Sequence, residues 1–426
     1  MSRILIHTIA FSPDGVSTAY LYNDIALQFQ KEGYDVVVLT TTPQYNFIAG
    51  CNKSQKLRPE LLGLYSVSNY RGIKVYHVSQ KKFKSTFLRI IGFLYWHLMS
   101  LILGLSIKNV DVILSPSPPL TLGVINIVLA KLKRCKVIYN VQEIYPDLLI
   151  EGGGLKSRPV IKLLSLMEKF VYRHSDKVTT IDQVFFNTIV DRFFDKDKLQ
   201  IVPNFVDTEI YKPITMDQVQ LDQAYFSKSS SFKIMYAGNI GYAQDWDTLI
   251  RVADKVKDEN IEFFVIGDGV MKDELEKQLM RLQLTKVHVV PYQPRELMPS
   301  LIAYSDIQFI FMTPQTEGHG FPSKVYTIMA CGKPLLVCSG VSTPIINFLQ
   351  NKCCAFLITE KDRDKKADQV VAILQSVDRQ ALVKMGVNGM SEIQQNYSKE
   401  VVTNMYVELV DSMLTKASSG LKEVLT

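Results

Sequence analysis

Apolar positions along the first two hundred residues fall into two rhythms. Short runs rich in Val and Ile, namely ILIHTIA, DVVVLTT, KVYHV, VDVILSP, KVIYNVQ, KVTTID and LQIVPN, have the length and β-branched content of strands. Between them, residues 16–32, 87–106, 119–133, 159–174 and 183–193 repeat apolar side chains every three to four places, the helical period. Strands apolar on both faces and alternating with helices predict a parallel sheet covered on both sides.

The rhythm stops between Asp207 and Phe232, where a polar run containing Ser229, Ser230 and Ser231 intervenes. It resumes with FKIMYAG, IEFFVIG, KVHVVPY, DIQFIFM, KPLLVCS and CCAFLIT as strands, and with helices starting near Trp246, Lys272, Arg295, Ser323, Thr343 and Asp364. The prediction is an α/β chain of two doubly wound, Rossmann-like domains at 1–207 and 233–390, joined by a linker at 208–232. A last amphipathic stretch, 391–413, has no strand of its own to cover, and the segment 391–426 is expected to pack back on the first domain.

The length agrees with two domains, because 426 residues exceed what one α/β core usually holds. With 47% hydrophobic and 21% charged residues, the composition is that of a folded chain. Six cysteines are scattered without the CxxC and His spacing of a zinc site and point to a reduced, cytoplasmic protein. The amino-terminal run is too short and too β-branched for a signal peptide and reads as the first strand. A net charge of +6 suits phosphate ligands or an anionic membrane surface without requiring nucleic acid as a partner.

Two loops carry the candidate chemistry. In EGHGFPSKVYTIMACGKP, Gly318 and Gly320 permit close backbone approach, Pro322 suits the first turn of a helix, and Ser323 and Lys324 follow. A helix N-terminus, the Ser323 hydroxyl and the Lys324 ammonium together suit a diphosphate. An ordinary capped helix uses the same residue types, so both readings stand on this loop alone. The second loop, MYAGNIGYAQDW, leaves its strand with two glycines and presents Asn239 and Gln244. Ligands of open α/β sheets bind at the carboxyl ends of strands, so two such loops in one domain outline one pocket.

These segments, with FFVIGDG, VVPYQPRELMPSLIAYSDI, IVPNFVDTEIYKP and IYNVQEIYPD, resemble in kind and spacing the retaining glycosyltransferases of family 4, nearest those of polysaccharide and O-antigen assembly. The resemblance covers nearly the whole chain. It implies the GT-B fold, in which two Rossmann-like domains face a central cleft, the first binding the acceptor and the second the nucleotide sugar. It also implies donor binding by Asn239, Gln244, Gly267, Gly320, Phe321, Pro322, Ser323 and Lys324, with Gly15 as the glycine of the first-domain loop near the donor phosphates.

The chain departs from that family in three places. The paired glutamates, separated by seven residues, fall on His319 and Thr327. His319 is then a candidate contact to the donor sugar, and Glu317 stands two residues from the expected position. The Arg and Lys that often neutralise donor phosphates are replaced by Asn239 and Gln244, which makes Lys324 the candidate cation. The HD pair of the first domain is Gln142 and Glu143, so Glu143 is the candidate catalytic carboxylate, with capping of the following helix as its competing role.

No Asp-x-Asp pair adjoins the donor loop, so no metal and no cofactor is expected. The implied activity transfers a sugar from a UDP-hexose or UDP-N-acetylhexosamine to a glycan or polyprenyl-diphosphate-linked acceptor in bacterial surface polysaccharide biosynthesis. A non-catalytic nucleotide-sugar or lipid-binding protein of the same fold, or a UDP-sugar epimerase, is the alternative. A nicotinamide oxidoreductase is opposed by AFSPDG after the first strand, which has no GxGxxG.

Residues 87–105, FLRIIGFLYWHLMSLILGL, approach membrane-spanning length but contain Arg89 and His97. With Lys81, Lys82 and Lys84 just upstream, they suit in-plane contact with an anionic bilayer, while a buried core helix has the same composition. The expected location is cytoplasmic, with peripheral contact at the inner membrane face as one of these two readings.

Overall fold

The structure is a computed structural model that describes residues 1–43, 55–80, 85–151, 154–193, 195–227, 229–317 and 321–423. Lys81, Lys82, Lys84, Gly318, His319 and Gly320 lie outside the described residues. The chain divides into two compact units, Met1–Asn204 with Glu400–Thr426, and Phe205–Lys399.

The first unit runs β1 (Arg3–His7), α1 (Ser17–Lys31), β2 (Asp35–Thr41), β3 (Arg58–Glu60), β4 (Tyr65–Tyr70), β5 (Ile73–Val78), α2 (Thr86–Ser106), β6 (Val112–Pro116), α3 (Leu120–Lys133), β7 (Lys136–Val141), α4 (Asp147–Glu151), α5 (Arg158–His174), β8 (Lys177–Thr180), α6 (Gln183–Ile189) and β9 (Leu199–Ile201). These strands form one sheet in the order β3-β4-β5-β2-β1-β6-β7-β8-β9. It is parallel except where β4 pairs antiparallel with β3 and β5. That departure from the all-parallel expectation has a simple cause. The inward positions of β4 are Ser66 and Ser68, and Ser68 Oγ bonds His77 Nε2 at 2.8 Å, so this strand carries no apolar signal.

One face of the first sheet is covered by α2, α3 and α5. Leu5, Val37, Leu39 and Ile113 pack with Trp96, Met99 and Leu103 of α2 and Leu122 and Leu129 of α3. Tyr139 and Val178 pack with Ile127 of α3 and Val171 and Tyr172 of α5.

The second unit runs β10 (Phe232–Ala237), α7 (Trp246–Lys255), β11 (Ile261–Ile266), α8 (Lys272–Arg281), β12 (Val287–Val290), α9 (Met298–Tyr304), β13 (Ile307–Phe311), α10 (Lys324–Ala330), β14 (Leu335–Cys338), α11 (Pro344–Leu349), β15 (Ala355–Ile358), α12 (Arg363–Ser376) and α13 (Arg379–Asn396). Its sheet has the order β12-β11-β10-β13-β14-β15, all parallel. Cores lie on both faces, one with Leu249 and Val252 of α7 and Val370 of α12, the other with Val325 and Met329 of α10 and Ile393 of α13.

Two expected boundaries move. Residues 208–232, expected as a linker, belong to the second unit, because Tyr211 and Phe226 are buried in its cores. The stretch expected to pack back from residue 391 is two helices. Helix α13 ends at Asn396, and α14 (Lys399–Glu423) begins after a break at which Ser398 bridges Val206. Only from Glu400 does the chain join the first unit, where Gln28 Nε2 donates to Asn404 Oδ1 at 2.7 Å and Tyr34 bonds Asp411.

Candidate active site

The strand order of the second unit reverses between β10 and β13, and at such a switch point the outgoing loops diverge and leave a crevice at the carboxyl ends of the strands. Both loops singled out in the sequence leave from there. Strand β10 exits at Gly238 and neighbouring β11 at Gly267. Gly238 N–H donates to Ile266 O at 2.9 Å, Ile240 N–H to Asp268 O at 2.9 Å, and Met271 N–H to Ile240 O at 3.0 Å. The approach is close enough to require glycine. A Cβ on Gly267 would lie 1.9 Å from Gly238 O, and one on Gly269 2.3 Å from Ile240 O, both at positive φ.

Lys324, the first residue of α10, reaches the same point. Its Nζ lies 3.7 Å from the centroid of the Tyr236 ring, and a Cβ on Gly238 would come within 2.6 Å of it. Burial lowers the ammonium from the ordinary lysine range to about 7, and no carboxylate counters that shift. A part-buried ammonium that has an aromatic face and no carboxylate partner among the described residues is electrostatically suited to an anion.

Gln244 is part-buried, with its backbone bridged to Met312, the residue that follows β13. Its Oε1 is buried with no hydrogen-bond partner among the described residues. Asn239 is exposed, and its carbonyl accepts from Tyr236 Oη at 2.7 Å. The two loops are tied to each other, since Asp245 N–H donates to Phe311 O at 2.8 Å and Thr313 N–H to Ala243 O at 3.2 Å.

Residues 318–320 are flanked by described residues that make contacts of their own. Before them, the Glu317 carboxylate accepts the Gly340 N–H at 2.7 Å, and a Cβ on Gly340 would lie 2.6 Å from Glu317 Oε1. After them, Phe321 packs on Tyr326 and Phe348, with ring centroids 5.1 and 4.9 Å apart. Pro322 is part-buried, while Ser323 is exposed and makes no capping bond. Helix α10 has only 7 residues, so its dipole is short and the charge at this end resides chiefly on Lys324.

In the first unit, Gly15 sits part-buried in the loop between β1 and α1. Glu143 follows β7, and its Oε2 accepts from Tyr145 Oη at 3.0 Å. Burial and the adjacent carboxylate raise the Tyr145 phenol, which keeps it protonated as a donor. The turn is fixed by Ser117, whose Oγ accepts from Gln142 N–H at 3.0 Å and donates to Glu143 O at 3.2 Å. Gln142 exchanges two amide bonds with Asn204, at 3.0 and 2.9 Å, and donates to Asn140 Oδ1 at 2.7 Å. Glu143 therefore stands on a rigid polar network and does not act as a helix cap.

The second unit thus brings Gly267 and Lys324 together at Gly238, with Asn239 next to that glycine, Gln244 tied to the residue after β13, and Phe321, Pro322 and Ser323 leading into Lys324, while the first unit holds Gly15 and Glu143. Sequence reasoning marked the glycines of the loop after β10 but missed Tyr236 and the bond between Glu317 and Gly340. The tyrosine two places before a glycine at a strand end was the available signal for the first.

Family models match each unit separately, Glycosyl transferase 4-like domain over residues 18–204 and Glycosyl transferases group 1 over residues 217–389. The chain is a glycosyltransferase of the GT-B fold. It is similar to the glycosyl transferase WcaI of Escherichia coli (strain K12), named for colanic acid biosynthesis, at 24% identity over 336 residues, which cover 78% of this chain and 81% of that one. It is also similar to the glycosyltransferase WbjE of Pseudomonas aeruginosa, at 22% identity over 312 residues, 72% of this chain and 76% of that one. In fold it resembles Anabaena HepE, solved in complex with UDP and glucose, with a TM-score of 0.70 at 17% identity over 97% of this chain and 100% of that one.

Proposed function

We propose that this glycosyltransferase is a retaining enzyme that moves a sugar from a UDP-hexose or UDP-N-acetylhexosamine to a glycan or polyprenyl-diphosphate-linked acceptor in bacterial surface polysaccharide assembly, on the cytoplasmic side. The observation that carries the proposal is the Lys324 ammonium, set over Tyr236 at the switch point of the second sheet with no carboxylate partner among the described residues. The UDP and glucose held by HepE and the colanic acid named for WcaI support the same donor and the same kind of product.

In the transfer, the bond from the anomeric carbon to the diphosphate oxygen breaks, and its electron pair leaves on the nucleoside diphosphate. The acceptor hydroxyl oxygen bonds that carbon from the same face and gives its proton to the departing diphosphate oxygen. Lys324 stabilises the charge that develops on the departing diphosphate. Glu143 is assigned to the acceptor hydroxyl or the cationic carbon, with Tyr145 holding one of its oxygens. His319 and Gly320 are assigned to the donor sugar and diphosphate, and no metal ion is given a role.

Calorimetric titration with a panel of UDP-sugars tests the donor assignment. Wild type is expected to bind one of them, Lys324→Ala to bind it at least about tenfold more weakly, and Glu143→Gln to keep the affinity while losing turnover. Unchanged binding by Lys324→Ala removes the diphosphate assignment. Binding without UDP release in the presence of acceptor makes the protein a non-catalytic donor binder.

A further inference from the structure

The helices that cover one face of the first sheet are apolar on their outer side as well. Helix α2 has two apolar stripes. Trp96, Met99 and Leu103 are buried against the sheet. Phe87, Ile91, Leu94, Leu98, Ile102 and Leu105, three and four residues apart, point outward with 42% to 70% of their surface exposed. Exposed Val128 and Leu132 continue that surface on α3, and Val160, Leu163 and Leu166 on α5.

The three helices lie side by side because small residues let them approach. A Cβ on Gly104 of α2 would come 2.7 Å from Leu129 of α3, and one on Gly123 of α3 would come 2.7 Å from Tyr139 and 2.9 Å from Val171 of α5. The outward leucines thus share one broad surface instead of being scattered singly. Every Lys, Arg, Asp or Glu on the three helices is a cation except Glu168, which is buried and paired with Arg192.

We propose that this three-helix face is a docking surface for an anionic lipid bilayer. Charge selects the occupant. A second copy of the same face would set Lys162 and Lys169 against cations with no carboxylate to receive them, whereas anionic headgroups pair with those lysines while the leucines enter the acyl boundary. The contact lies in the membrane plane and does not span it, because the inner stripe of α2, with Trp96 at 0% exposure, is committed to the core of the sheet. The inference is independent of the donor site and stands or falls separately from the catalytic reading.

The test is flotation of the full chain with vesicles of phosphatidylcholine, alone or with about one-third phosphatidylglycerol, at low and high salt. The expected result is binding to the anionic vesicles only, weakened by salt. Lys162→Gln with Lys169→Gln should lower the partition coefficient roughly thirtyfold. Leu163→Ser with Leu166→Ser should also lower it, at unchanged melting temperature and unchanged UDP-sugar binding, since these side chains are 58% and 56% exposed. Absence of wild-type binding to anionic vesicles overturns the proposal. So does undiminished binding by both α5 variants, which confines the contact to α2. A dimer that the α5 leucine changes dissociate, without vesicle binding, gives the face to a second copy instead.

Discussion

The Lys324 ammonium lies 3.7 Å from the centre of the Tyr236 ring and has no carboxylate to balance it among the described residues. A desolvated cation on an aromatic face gains about 2 kcal/mol, less than the several kcal/mol that removal of an ammonium from water costs. A bound anion would offset that cost, and the consequences are measurable.

Donor affinity should depend on pH. Below about 7 the ammonium is already formed, while above it a diphosphate must recruit a proton to Lys324, with up to a tenfold loss of affinity per pH unit. A UDP-sugar has no phosphate group that titrates in this range. Titration calorimetry at pH 7 and 8.5, in buffers of different ionisation heat, should show roughly fifteenfold weaker binding at the higher pH, with uptake of about half a proton at pH 7 and close to one at pH 8.5. Binding that is flat with pH, or a proton uptake that persists in Lys324→Met, would contradict the assignment.

Removing the charge should stabilise the fold while abolishing donor binding. The folded-state pKa of Lys324 lies below its unfolded value, so the folding penalty is fully present below about 7 and fades as pH rises toward the ordinary lysine range. Lys324→Met fills similar volume without the charge and should raise stability by about 1–4 kcal/mol at pH 6.5, with a smaller gain at pH 9. A lower urea midpoint for the variant at pH 6.5 would show that the ammonium is better accommodated than its surroundings indicate.

Glu317 and Gly340 should behave as one unit. The carboxylate accepts the Gly340 N–H at 2.7 Å, and a methyl group on Gly340 would collide with Glu317 Oε1. Glu317→Ala and Gly340→Ala each break the same charge-assisted bond, worth about 1.5–3 kcal/mol, and each should weaken donor binding roughly tenfold by freeing the chain at Glu317. The double variant should be no worse than either single one. Multiplicative losses would mean that the two residues act separately.

Both sheets were legible in the sequence because nearly all their strands are apolar on both faces, and Lys324 was legible because it follows a glycine- and proline-bearing strand exit. Strand β4 escaped notice because Ser66 and Ser68 occupy its buried positions. Residues 208–232 read as a linker because Tyr211 and Phe226 are isolated apolar residues whose partners lie far along the chain. Tyr236 reads as core in any strand pattern, and only the fold places Lys324, 88 positions later, over its ring. The Glu317 bond goes to a backbone N–H, which has no sequence signature at all.

Acid should weaken the first unit before the second. His7 and His77 are both fully buried there, and burial lowers each to about 4. His7 Nδ1 pairs with Asn126 Oδ1 at 2.7 Å, and His77 is held between Ser68 Oγ at 2.8 Å and Thr41 O at 3.1 Å. Above pH 6.5 both histidines are neutral in the folded and unfolded chain and contribute no pH dependence. As pH falls from 6.5 toward 4, the unfolded chain takes up protons that the folded unit does not, and stability is lost at about 1.4 kcal/mol per pH unit for each histidine. At pH 5 the loss should be roughly 2 kcal/mol per histidine, partly offset by buried Glu168, whose carboxyl is raised to about 7 and takes up its proton first in the folded unit. The chain has 2 tryptophans, buried Trp96 in the first unit and buried Trp246 in the second, so Trp246→Phe leaves a reporter of the first unit alone and Trp96→Phe one of the second. Urea unfolding followed by fluorescence should shift to lower urea between pH 7 and 5 for the Trp96 reporter, with a smaller shift for Trp246. His77→Gln, which keeps a hydrogen-bonding side chain without titrating, should remove about half of the Trp96 shift. An undiminished shift in that variant would place the acid sensitivity elsewhere in the molecule.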